Sequence, residues 1–119
     1  MDNKHSLGSS VEPLFKVVRN LKGVAQHAVK SPESANFHLQ MANFAADSIL
    51  SESVFQFVKA YLKACDDEVV AHNTAATDAK KKAALRRLAK EAEIGFNAAL
   101  AYHEALRLSH QVHNPTNYR

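Results

Sequence analysis

The chain has little of what loops, sheets and disulfide scaffolds need: one cysteine, three glycines and three prolines in 119 residues. A single cysteine excludes an internal disulfide. Cys65 lies on an apolar helical face, which marks it as a small core residue in a reducing compartment. No segment alternates apolar and polar residues, and no Asn-Gly or Asp-Gly pair signals a hairpin. No internal repeat of about 20–50 residues is present. No apolar run approaches the roughly 20 residues that a membrane helix needs. The first ten residues are polar with one Leu and lack the charged-then-apolar pattern of a secretory signal, so the expected location is the cytoplasm. The spacings of catalytic and metal motifs are missing too. No Glu-x-x-His pair of a di-iron bundle occurs, and no zinc spacing, helix-turn-helix pattern or RNA-binding signature.

What is present is alanine, 20 residues of it, within an apolar fraction of 46%. That balance favours helix over sheet. The length suits one domain able to bury a core without staples. The organising stretch is Asp78 to Val112. Thr77 or Asp78 can cap it, and Asn114-Pro115 should stop it. Leu85, Ala92, Ala99 and Leu106 recur every seven residues, with Leu88, Gly95 and Tyr102 three places later. Ala89 and Phe96 widen this stripe into one buried face.

Three shorter helices are expected before it. The first is capped by Ser9 or Ser10 and runs to about Lys30, with Val11, Leu14, Val18, Leu21, Ala25 and Ala28 facing inward. Ser31-Pro32-Glu33 starts the second, running to about Ile49, with Phe37, Met41, Phe44, Ala45 and Ile49 as burial candidates. Ser51 starts the third, whose stripe is Val54, Phe55, Val58, Leu62, Cys65 and Val69 and fades at His72-Asn73-Thr74. Helices three and four could also be continuous through a kink. The expected fold is all-α, an antiparallel four-helix bundle with a long C-terminal helix. It occupies residues 10–113, between a disordered tail at 1–9 and a C-terminal tail at 114–119. Leu21, Phe44, Phe55, Leu62, Leu88 and Phe96 are expected in its core.

Arg19-Asn20-Leu21-Lys22-Gly23 resembles the His-x-Leu-Lys-Gly signature of histidine phosphotransfer domains, which are helical bundles of about this size. The likeness spans those five positions. It places Arg19 where that family's phosphate-accepting His stands, so phosphotransfer chemistry does not carry over and membership is not inferred.

The main charge feature is Lys80, Lys81, Lys82, Arg86, Arg87 and Lys90, six of the fifteen Lys and Arg residues, in a chain of net charge +3. Such a face can meet phosphates or an acidic protein, or can simply be a solvated helix surface. Its position near a helix N-terminus opposes the helix dipole. No aromatic residue interleaves it, so base stacking is not supported. Seven histidines are many. His103, His110 and His113 could share a face, yet they lack supporting carboxylates, so no metal and no cofactor are expected. Asp66-Asp67-Glu68 points around its helix and forms no catalytic pair. Cys65 has no activating base.

These features predict a protein that is not an enzyme. The reading is a protein-binding module, a small helical regulator, inhibitor or chaperone-like adaptor. Its partner would be another protein, and it would act as a homodimer. Leu88, Ala92, Gly95, Phe96, Ala99 and Leu106 are the expected dimer interface, because small residues there let two helices approach closely. The alternative is a nucleic-acid-associated protein that binds phosphates through the basic face.

Overall fold

A computed structural model describes residues 10–112, with side chains from 10 to 109. Four helices make up nearly all of it: α1 (Val11–His27), α2 (Pro32–Ala46), α3 (Glu52–Thr74) and α4 (Asp78–Val112). No strand occurs among the described residues. Consecutive helices are antiparallel, and α4 closes the bundle by packing on α1 as well as α3. At 1.5 Å per residue α4 is about 52 Å long, close to the 58 Å long axis of the molecule. No described helix is long and apolar enough to cross a membrane. The expected C-terminal stop at Asn114-Pro115, the two tails and the side chains of His110 and His113 lie outside the described residues.

The helix boundaries have local causes. The Ser51 side chain accepts from the Val54 N–H at 3.4 Å, and Thr77 Oγ1 accepts from the Lys80 N–H at 3.2 Å. Each satisfies one of the unpaired donors at a helix start. Ser10 and Ser31 stand at the corresponding places of α1 and α2 without a side-chain cap bond. Ser10 Oγ instead accepts from the Ser51 N–H at 3.3 Å, which pins the start of α1 to that of α3. Helices α3 and α4 are separate. Ala75 is extended, with φ −66° and ψ 141°, and breaks the helical path.

One hydrophobic cluster runs through all four helices. The seven-residue spacing of α4 is followed: Leu85, Leu88, Ala92, Gly95 and Ala99 are buried, and Tyr102 and Leu106 are half-buried. Leu14, Val17, Val18, Leu21 and Val24 of α1 and Val54, Val58, Leu62 and Cys65 of α3 fill the space between. Of the six residues expected in the core, Leu21, Leu62 and Leu88 are fully enclosed, while Phe55 and Phe96 lie at its edge.

The facing of α2 differs from the sequence reading. Phe37, Met41 and Phe44 point outward, with 60%, 40% and 71% of their surface exposed. Ala45 and Ile49 are buried as expected, and Ala35, Leu39, Ala42 and Ala46 complete the inner face in place of the three large side chains. The cause is close approach. At Gly23 of α1 a Cβ would come within 2.7 Å of the His38 ring, so the ring lies against bare backbone. A helix pair this tight accepts Ala and excludes Phe. Leu21 and Gly23, from the five-residue phosphotransfer-like stretch, thus serve as core residue and contact point.

Candidate functional site

The basic cluster begins at the N-terminus of α4, and the antiparallel turn sets that end beside the C-terminus of α3. This accounts for the place of Lys81 in the cluster. Lys81 Nζ donates to the His72 carbonyl at 3.1 Å, and so satisfies one of the unpaired acceptors in the last turn of α3. Arg87 Nε donates to Glu68 Oε1 of α3 at 2.9 Å. Two of the six cations therefore hold α3 to α4. Lys80, Lys82, Arg86 and Lys90 are exposed, and their side chains have no ion-pair or hydrogen-bond partner among the described residues.

Arg86 and Lys90 share a groove with Lys22 of α1. It has a volume of about 510 Å³, and Ala25, Ala89 and Phe96 give it apolar walls. Glu93 is its one carboxylate. Lys22 was not singled out from the sequence, because only the crossing of α1 over α4 brings it to Arg86 and Lys90.

The second surface is the outer face of α2. Phe37, Met41 and Phe44 are spaced four and three residues apart and form one stripe. Beside it Met41, Phe44 and Ala45 line an open groove of about 420 Å³ against Glu12, Lys16 and Asn20 of α1. Large apolar side chains grouped on a surface mark interaction sites more often than singly exposed ones do.

The expected dimer strip is used within the chain. Leu88, Ala92, Gly95 and Ala99 are buried by α1 and α3. A Cβ at Gly95 would stand 3.0 Å from Tyr61 Cβ and 3.4 Å from Leu21 Cδ1. The small residues admit neighbouring helices of the same molecule. Phe96 and Leu106 are the half-buried members of the set.

The titratable groups that could carry chemistry are dispersed. Burial, followed by the nearby Asp66, Glu91 and Glu68 carboxylates, pushes the Cys65 thiol up to about 12, so it stays protonated at neutral pH. Asp66, Asp67 and Glu68 turn to three different partners: Asn43 at 3.3 Å, Lys63 at 3.2 Å and Arg87 at 2.9 Å. Burial raises the Asp66 carboxyl above its ordinary range, against the Asn43 hydrogen bond and Lys59. The Arg107 hydrogen bond lowers that of the exposed Glu104. His38 stacks on His27 at 5.6 Å and its Nδ1 lies 3.1 Å from Asn20 Oδ1. His103 is buried against Phe15 of α1, and its Nδ1 has no hydrogen-bond partner among the described residues, the Glu104 carboxylate standing 3.7 Å away. No three His, Cys, Asp or Glu side chains among the described residues are grouped to hold a metal ion. Compared with known proteins, the chain matches no protein-family model, no curated protein and no solved structure.

Proposed function

We propose that the chain is a non-enzymatic protein-binding module, a small helical regulator, inhibitor or chaperone-like adaptor that docks a partner protein on the outer face of α2. The observation that carries this reading is the exposed Phe37, Met41 and Phe44 stripe. Aromatic residues and Met are enriched at interfaces, where they supply large contact areas. The alanine face behind the stripe holds α2 to the bundle, so the outer residues are not needed to close the core. The cytoplasm suits a chain whose one thiol is unpaired and buried.

Self-association belongs to the same reading. The stripe on α2 and the end of α4 around Leu106 and Leu108 are apolar surfaces open to a second copy. The Leu88, Ala92, Gly95 and Ala99 strip is enclosed. The second reading, nucleic-acid binding, is favoured by the unpaired cations Lys80, Lys82, Arg86 and Lys90.

Capture from an extract of the native cell separates the two. The tagged full-length chain and its Phe37→Ser/Phe44→Ser variant are compared before and after nuclease. A protein retained after nuclease by the wild type and lost by the variant is the expected result. Capture that vanishes with nuclease and is indifferent to the two Phe residues would support the nucleic-acid reading instead.

A further inference from the structure

The groove between α1 and α4 combines features that the α2 stripe lacks. Lys22, Arg86 and Lys90 line it, and none has a side-chain hydrogen-bond or ion-pair partner among the described residues. The neighbouring Arg87 and Lys81 are committed to α3. Unpaired cations remain attractive to an outside anion, whereas paired ones are largely neutralised. Ala25 and Ala89 are half-buried, one on each helix, and with half-buried Phe96 they form the apolar part of the lining. Small residues on two neighbouring helices leave a trough into which the side-chain ridge of a third helix can pack.

We propose that this groove binds an acidic amphipathic helix of a partner protein. The apolar ridge of that helix would lie on Ala25, Ala89 and Phe96, and its flanking carboxylates would meet Lys22, Arg86 and Lys90. Helix-in-groove recognition works this way, with apolar anchors at helical spacing and charges setting the orientation. A phosphodiester backbone fits less well. It has no apolar ridge to lay on Ala25, Ala89 and Phe96, whereas the single carboxylate of the groove, Glu93, opposes either anion. The proposal does not depend on the α2 stripe. Glu12, Lys16 and Asn20 of α1 serve that side, and Lys22 and Ala25 serve this one.

The test is a titration of the isotope-labelled full-length chain, followed by amide chemical shifts. The probe is a synthetic helix of about five turns, with Leu along one face and Glu on both flanks. Controls are polyglutamate of the same charge and a short DNA duplex. Shifts centred on Ala25, Ala89 and Phe96 are expected with the amphipathic probe. Lys22→Glu/Arg86→Glu/Lys90→Glu should weaken its binding about tenfold, through the loss of three exposed charge pairs. Ala89→Trp fills the floor without changing charge and should block the probe too, which guards against misfolding of the triple variant. Phe37→Ser/Phe44→Ser should bind it normally, so a failure of the α2 reading leaves this result intact. No shifts in the groove, equal binding of polyglutamate, or stronger shifts of the same residues with DNA would each overturn the proposal.

Discussion

Leu62→Ala is expected to lower stability by about 2–5 kcal/mol, whereas Phe44→Ala should cost well under about 1 kcal/mol. Leu62 is fully enclosed in the middle of α3, among Val58, Cys65 and the facing residues of α4. Its truncation removes apolar burial and leaves a cavity in a closely packed interior. Phe44 has the larger side chain but is mostly in water. Little contact is lost when it shrinks, and Ala is the better helix former. Urea unfolding of both variants gives the comparison directly, at unchanged slope. Similar losses for the two would mean that α2 is rotated from the orientation described.

Gly95→Leu should destabilise the protein by about 1–3 kcal/mol, because overpacking a tight site forces helices apart. The crowding falls between helices of one chain, where Tyr61 of α3 and Leu21 of α1 meet the backbone of α4. Gly95→Ala is a finer probe. Helix propensity favours Ala by about 1 kcal/mol. Against this, its Cβ would sit 3.0 Å from Tyr61 Cβ, which must give by a few tenths of an ångström. The two effects should nearly cancel. Light scattering beside the melting curve locates the effect. A change in mass, with stability preserved, would return Gly95 to an interface between copies.

The bundle was legible in the sequence because its strongest signals were local. The seven-residue spacing of α4 and the Ser51 and Thr77 caps depend on neighbours within a turn or two. The inner face of α2 was legible only at Ala45 and Ile49. Ala35, Leu39, Ala42 and Ala46 follow the same four-and-three rhythm as Phe37, Met41 and Phe44. Both faces satisfy the helical period, and size favoured the wrong one. The deciding contact, Gly23 of α1 against His38 of α2, joins residues distant in sequence. The strip Leu88, Ala92, Gly95 and Ala99 correctly announced close helix packing, but small residues do not say whether the incoming helix belongs to the same chain. The basic cluster was visible as a run, while its division was not. Lys81 and Arg87 found their partners only through the turn that brings α3 back beside α4.

The central claim is that Phe37, Met41 and Phe44 stand on the outer face of α2 and carry no part of the core. Its most direct test is the unfolding free energy of Phe37→Ser/Met41→Ser/Phe44→Ser, measured in urea on the full-length chain. Exposed substitutions are usually within about 0.5 kcal/mol each, so the unfolding midpoint should stay close to that of the wild type. A loss of several kcal/mol, the size expected when buried aromatic side chains are removed, would show that the stripe belongs to the core and would contradict the account.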